Sequence, residues 1–517
     1  MTASRSKEWY VGVDLGTGSC KSVIIDARAR ILGFGAGDYS KNEAPTGWKE
    51  QDPETLVDAF IRAVRNAIDR AAVSPRACRG ISVGGAFHSL IAIDKSRRPL
   101  TGISTWVDPR AVSQAQAVRA RADADRFYRQ TGCPVHSMYP AYKLIRLREE
   151  NPHIFIRAAR FVSAKAYIIE RLTGRFMIDF SVASGSGMLN IHDLNWNTES
   201  LQLAGITPEQ LSTVASPWTV INGIDPDFAA ALGISKNVPL VLGSSDAANS
   251  SLGAGAVHSD CATCMVGTSG AYRIIAKKVV LDSAGRSWCY ALDPDHWLVG
   301  GSINNGGIVL SWLREALNRA VPSGHKAAKL SYDELINRAV GINAGADGLI
   351  CLPFLTGERS PNWNMNARGV FFGLTLDHSL DHMTRALLEG VAFRLRSVAE
   401  VLDEIGCETN EIRVSGGLTG SELWPQIIAS VLDLQLHIPR WGETSSLGAA
   451  LWALLGTGEI DGFERIEELI PLERSYSPLA ADAQRYNELY RVYKALYTAL
   501  GPSFDKIADL FGMSTQN

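Results

Sequence analysis

Two glycine turns set 251 positions apart constrain this chain more than any other feature. Trp9-Tyr-Val-Gly-Val-Asp-Leu-Gly-Thr-Gly-Ser-Cys-Lys-Ser-Val-Ile-Ile-Asp26 is a pair of β-branched and aromatic runs around a Gly-rich turn. That pattern predicts a β-hairpin with Asp14 near its tip. Cys261-Ala-Thr-Cys-Met-Val-Gly-Thr-Ser-Gly-Ala-Tyr-Arg-Ile-Ile-Ala276 repeats the design of strand, Gly-Thr-Ser-Gly turn and strand. The spacing divides the 517-residue chain almost in half and implies two lobes of similar plan. Gly-Thr-Gly turns are common enough that a chance echo is the competing explanation.

Both halves mix strands with helices, which argues an α/β architecture. Asp52-Pro53 offers an N-cap and a first-turn proline, and Leu56, Val57, Phe60, Ala63, Val64, Ala67 and Ile68 follow at helical spacing. Ile81–Phe87 and Val238–Leu242 read as short buried strands, Leu380–Glu404 as a long helix, Ile412–Ser415 as a strand and Leu423–Leu432 as a helix. Tyr486, Leu489, Tyr490, Tyr493, Leu496, Tyr497 and Leu500 form a helical stripe suited to packing on the body. The expected division is 1–245, 246–480 and a helical extension, 481–517.

Composition narrows the function classes. Fifty-one Lys and Arg against 54 Asp and Glu leave a net charge of −3, so nucleic acid and anionic membranes have no electrostatic claim as main partner. No apolar run approaches the 18 residues a membrane helix needs, which makes the cytoplasm the default compartment. Eight dispersed cysteines read as reduced thiols. Cys261 and Cys264 lack the further ligands zinc requires.

The 47 glycines gather where anions could bind. A turn without β-carbons lets backbone N–H groups approach phosphate closely. Gly16, Thr17, Gly18 and Ser19 supply such donors and hydroxyls, Lys21 a cation, and Asp14 an anchor for hydrated Mg²⁺. The P-loop ending and the Rossmann spacing are both absent. Gly267, Thr268, Ser269 and Gly270 could grip the same triphosphate from the other side. Gly416 and Gly417, with Ser421 just beyond, lie between a strand and a helix, where a purine or ribose could rest. Each cluster taken alone is equally a plain structural turn.

From Val11 to Gly456 these motifs resemble the FGGY carbohydrate kinases. The anchors are Asp14 to Gly18, Gly47 to Pro53, Gly243 to Asn249, Gly267 to Gly270, Gly357-Glu-Arg-Ser-Pro361 through Gly369, and Ser415 through Trp424. Within that family the stretches Phe87–Asp94, Trp106–Arg110, Pro134–Met138, Val182–Met188, Gly270–Arg273 and Gly300–Gly307 are similar to the gluconokinase-type members. Gly18 stands where family members usually carry a second Thr, and Ala247 where those members carry Gly.

The resemblance implies an actin-like, ribonuclease H-like two-lobe ATPase fold with an interlobe cleft, using ATP and Mg²⁺ to phosphorylate a terminal hydroxyl. It makes Asp246 the general base, His88, Trp106 and Asp108 sugar contacts, and Arg273 a partner for an aldonate carboxylate. Blander roles stand beside these: a helix cap for Asp246, a turn cap for Asp14, a core histidine, a core tryptophan, a turn aspartate and a solvated strand-edge arginine. Glu358 and Arg359 read as members of an internal ion pair. Gluconate or a related open-chain acid is the leading acceptor, with a xylulokinase-like or polyol specificity as the alternative and a homodimer left open. A nucleotide-switched actin-like chaperone or scaffold is the reading from another class. A dinucleotide oxidoreductase is weaker still, because the chain lacks an early Gly-x-Gly-x-x-Gly.

Overall fold

The structure is a computed structural model and describes residues 8–39, 50–320 and 330–511. Gly47 to Lys49 of the second family motif and 512–517 of the C-terminal extension lie outside the described residues.

The echo in the sequence is an echo in architecture. Strands Trp9–Leu15, Ser19–Ile25 and Ile31–Asp38 form an antiparallel meander, and Trp9–Leu15 then pairs in parallel with Cys78–Gly85. Leu240–Val241 continues in parallel, and Val220–Ile221 closes the six-stranded sheet antiparallel. In the second, seven-stranded sheet Cys261–Val266, Gly270–Ala276 and His296–Ile303 form the meander, with Trp288–Asp293 outside it. Glu411–Gly416 and Gln435–Pro439 add in parallel to Cys261–Val266, and Leu472–Tyr476 closes the far edge antiparallel. Six strands of each sheet therefore share one spatial arrangement and one set of senses; the second sheet adds Trp288–Asp293, and the edge strand Val220–Ile221 precedes its neighbour in the chain where Leu472–Tyr476 follows its own.

Local chemistry accounts for the helices. Pro53–Ala71 starts where the Asp52 carboxylate accepts the Thr55 N–H at 2.8 Å, with Pro53 at its first position, a cap worth about 1 kcal/mol. It buries the predicted apolar face against the first sheet. Ala480–Leu510 sinks Tyr486, Tyr490 and Tyr493 into the second core; Tyr486 donates to Glu389 and Tyr490 to Glu400, while the Tyr493 hydroxyl is buried without a partner.

The halves are joined by two crossing helices, Asp246–Gly253 and Thr444–Gly456. Thr444–Gly456 comes from the second half of the chain yet packs on strand Trp9–Leu15 of the first sheet. The crossing is close because both helices present glycine. A β-carbon on Gly448 would stand 1.8 Å from the Asn249 carbonyl oxygen, and one on Gly253 1.9 Å from that of Thr444.

Candidate active site

In open sheets of this kind, ligands bind beyond the carboxyl ends of parallel strands. Trp9–Leu15 delivers Asp14, Cys78–Gly85 leads to His88, and Leu240–Val241 leads to Asp246. The second sheet delivers Gly267–Thr268 and Gly416–Gly417 from the equivalent ends.

Asp14 and Asp246 form an electrostatically coupled pair. Asp14 pairs with Lys21 across its hairpin, and its Oδ1 is buried without a hydrogen-bond partner. Burial, reinforced by the charge of Asp246, raises Asp14 to about 7. Burial likewise raises Asp246 to about 6, against the opposing positive charge of Arg273. The Ser445 hydroxyl donates to the Asp246 carbonyl at 3.2 Å, and its nearness to Asp14 opposes the rise of that carboxyl. The cap of helix Asp246–Gly253 is Ser245, whose hydroxyl accepts the Ala248 N–H. Asp246 is therefore the first helical residue, and its Oδ1 accepts the N–H of Ala247 at 2.8 Å.

Arg273 is 2% exposed in the interior of the second sheet, which rules out a solvated edge charge. Its Nη2 is buried without a partner, and its Nε meets only the Ser251 hydroxyl, at 3.4 Å. Burial holds its pKa down at about 10, against the charge of Asp246. A partnerless carboxylate oxygen and a partnerless guanidinium nitrogen suit, respectively, a hydrated hard cation and an anionic oxygen.

Both glycine turns are closed by internal hydrogen bonds. The Gly16 N–H donates to Ser19 O, and the Tyr39 hydroxyl to Gly16 O. Thr17 and Gly18 are exposed at the tip. In the second turn Gly267 and Thr268 accept from the N–H groups of Gly306, Gly307 and Ile308 at the start of helix Ile308–Ala320. Gly416 has φ +94°, and a β-carbon there would meet Val266 O at 2.6 Å. Two members are less available than the sequence suggests. Lys21 is ion-paired with both oxygens of Glu443, at 2.9 and 3.1 Å. The Ser421 hydroxyl accepts from the N–H groups of Leu423 and Trp424, at the head of the next helix.

His88 adopts φ +66°, and its Nδ1 lies 2.6 Å from Gly185 O. A carbonyl oxygen can only accept, so Nδ1 carries the proton and Nε2 keeps its lone pair. Burial pushes the imidazole down to about 3, so it is neutral. Trp106 donates its indole N–H to Thr17 Oγ1 at 3.0 Å. Asp108 offers no free oxygen: Ser104 and Arg110 occupy both. Burial opposes its ionisation, yet those bonds hold it down at about 2. These bonds fix the loop after Trp106.

Three features escaped the sequence. Arg359 places its guanidinium 4.8 Å from the centre of the Trp106 ring, joining the two halves; Nε and Nη2 donate to Asn304 Oδ1 and Ile303 O. Tyr139 and Tyr290 share a 2.8 Å hydroxyl contact beside His88. Lys143 lies behind His88 and Thr105. The expected internal ion pair is real, but Glu358 pairs with Arg394 at 3.2 Å. Clefts of about 480 and 720 Å³ lie elsewhere, lined by residues such as Arg160 and Phe176 or Tyr167 and Phe228. Neither holds any of these groups, so chemistry rather than volume marks the site.

Residues 9–253 match the FGGY family of carbohydrate kinases, N-terminal domain, and residues 262–457 its C-terminal domain. A gluconokinase of Bacillus licheniformis is 34% identical over 503 residues, 97% of this chain and 98% of that one. A xylulose kinase of Escherichia coli (strain K12) is 28% identical over 500 residues, 95% of this chain and 99% of its own. Among solved structures, a gluconate kinase from Lactobacillus acidophilus aligns with a TM-score of 0.90 at 32% identity, over 97% of this chain and 99% of that one. A ligand-bound xylulose kinase from the same organism gives 0.91 at 32%, over 97% and 100%. The chain belongs to the FGGY family of carbohydrate kinases, and with that its two-sheet α/β fold and its enzyme class are those of a phosphotransferase acting on an alcohol. No helix among the described residues is long and apolar enough to cross a membrane.

Proposed function

We propose that this kinase transfers the γ-phosphate of ATP to the terminal hydroxyl of gluconate or a closely related open-chain sugar acid. The observation that carries the chemistry is the coupled pair of Asp14 and Asp246 with Arg273 buried beside Asp246. Asp246, raised to about 6, is ionised at neutral pH yet basic enough to take the proton of the acceptor hydroxyl. The freed oxygen attacks the γ-phosphorus, the bond to the β-phosphate breaks, and ADP leaves. The turns at Gly16 to Ser19 and at Gly267 and Thr268 take phosphate oxygens, and Gly416, Gly417 and Ser421 the nucleoside end. Lys21 balances charge through Glu443. Asp14 would hold Mg²⁺, which spreads the charge of the transferring phosphoryl group.

Arg273 is better assigned to the reacting end than to the acid's carboxylate. Its charge acts on Asp246, and in an open-chain aldonate the terminal hydroxyl and the carboxylate stand at opposite ends. It keeps Asp246 ionised and meets anionic oxygen during transfer. His88 and Trp106 form the wall along which the carbon chain lies, and lobes 1–245 and 246–480, the latter followed by helix Ala480–Leu510, close over it.

The gluconokinase and gluconate kinase relatives support the acid; the xylulose kinases support a neutral ketose as second reading. A coupled ADP-release assay with ATP, Mg²⁺ and a panel of gluconate, other aldonates, xylulose and polyols separates them. Gluconate is expected to give the highest kcat/KM. Preference for xylulose by tenfold or more would replace the acid with the ketose, and silence on the whole panel would remove both.

A further inference from the structure

Lys143, on helix Pro140–Glu150, is 2% exposed, and burying an ammonium costs several kcal/mol unless it is well satisfied. Among the described residues it forms no salt bridge. Its Nζ instead donates to two main-chain carbonyls from different loops: His88 O at 2.8 Å and Thr105 O at 2.6 Å. The first loop carries His88 in a left-handed conformation that a non-glycine residue adopts only at a cost. The second leads directly into Trp106, whose indole is held to Thr17. Without Lys143, the tie between the two loops would be lost, His88 O losing this donor while Thr105 O keeps the Asp108 N–H at 3.1 Å.

We propose that Lys143 is a positioning residue for the acceptor. One buried ammonium fastens the His88 loop to the Trp106 loop and so sets the spacing of the two side chains that face the sugar. The inference rests on the reading of those two side chains as the acceptor wall. Lys143 touches neither the phosphate turns nor Asp14 and Asp246, and its one link to the ATP side runs through the Trp106–Thr17 hydrogen bond, so it acts on the acceptor first. A lysine serves here because its ammonium can donate to both carbonyls at once, and its four-carbon stem reaches them from a helix behind the wall.

The test compares Lys143→Met, which keeps the stem and removes the donors, with Lys143→Gln, whose amide retains two N–H groups. Both substrates are varied in turn, and folding is checked by thermal unfolding and by KM for ATP. The expected result for Lys143→Met is a rise of at least tenfold in acceptor KM with ATP KM raised no more than several-fold through the Trp106–Thr17 bond, and for Lys143→Gln a smaller rise in acceptor KM. Parallel rises in both KM values, no rise in either, or failure of both variants to fold would overturn the proposal in favour of a general structural role. If only Lys143→Gln folds, its acceptor-selective rise supports the proposal and its absence overturns it. Wild-type enzyme that ignores gluconate but turns over xylulose sinks the acceptor reading instead, and the KM split is then read on xylulose.

Discussion

The indole N–H of Trp106 donates to the hydroxyl of Thr17 across 89 residues of chain, at 3.0 Å. One residue belongs to the proposed acceptor wall and the other to the proposed phosphate turn, so the two subsites share a hydrogen bond. Trp106→Phe keeps an aromatic ring beneath the Arg359 guanidinium and removes the donor together with part of the indole. A neutral hydrogen bond is worth about 1 kcal/mol net. Initial-rate kinetics with both substrates varied should therefore show KM rising several-fold for ATP as well as for the acceptor. A change confined to the acceptor would disprove the coupling.

Asp246→Asn should lower kcat by about 10³, within the usual range for losing a general base, with ATP KM little changed. The acid limb of kcat/KM follows from the two raised carboxyls. Because Asp14, near 7, must be ionised to hold Mg²⁺ and Asp246, near 6, must be ionised to accept a proton, rate falls as pH drops below about 7 and more steeply below about 6. Arg273→Met removes the positive charge that opposes the rise, so the limb should move to higher pH. A limb that stays in place or moves down would show that Arg273 does not act on Asp246.

How much of this could be read from residues alone depends on how far each signal travels along the chain. The glycine hairpins, the helix opened by Asp52-Pro53 and the placement of Asp14 are local patterns, and they fold as read. Asp246 was placed at a strand end correctly, but the cap went to Ser245 because the helix begins one residue earlier than expected. Arg273 looked as though it could lie on an edge because sequence does not say which strands are central. Strands Cys261–Val266 and His296–Ile303 flank it on both sides. Arg359 on Trp106, and Lys143 beneath two loops, are contacts between segments 38 to 253 residues apart, and no periodicity records them. Asp108 is the opposite case, because the arginine that occupies it stands two residues away in Asp108-Pro-Arg110.

Glu358 and Arg394 are fully buried partners, 0% and 2% exposed at the side chain. Removing one partner of such a pair leaves an uncompensated charge and costs about 3–5 kcal/mol. Arg394→Met should lose stability on that scale in denaturant unfolding, and it should also loosen the loop that carries Arg359, since Arg394 donates to Ser360 O. The double variant Arg394→Met, Glu358→Gln should recover part of the loss. If the double variant is no more stable than Arg394→Met alone, the lost term is packing and not the stranded carboxylate.

Gly448 and Gly18 make opposite predictions from the same small change. An alanine β-carbon at Gly448 would lie 1.8 Å from the Asn249 carbonyl oxygen, inside the helix that Asp246 opens. That oxygen is backbone, so the helices themselves must part. Overpacking of a close contact costs about 1–3 kcal/mol, and sometimes more. Because the displaced helix carries the proposed base, Gly448→Ala should lower kcat beyond what its loss of stability predicts, measured at a temperature where the variant is fully folded. At Gly18 a β-carbon would meet nothing within 4 Å, and the turn tip is exposed. Gly18→Ala and Gly18→Thr should fold as the wild type does, with ATP KM changed by no more than a few-fold. A Gly448→Ala enzyme of full activity would show that the helix crossing can widen without moving Asp246, and that the placement of the base depends on the strand end alone.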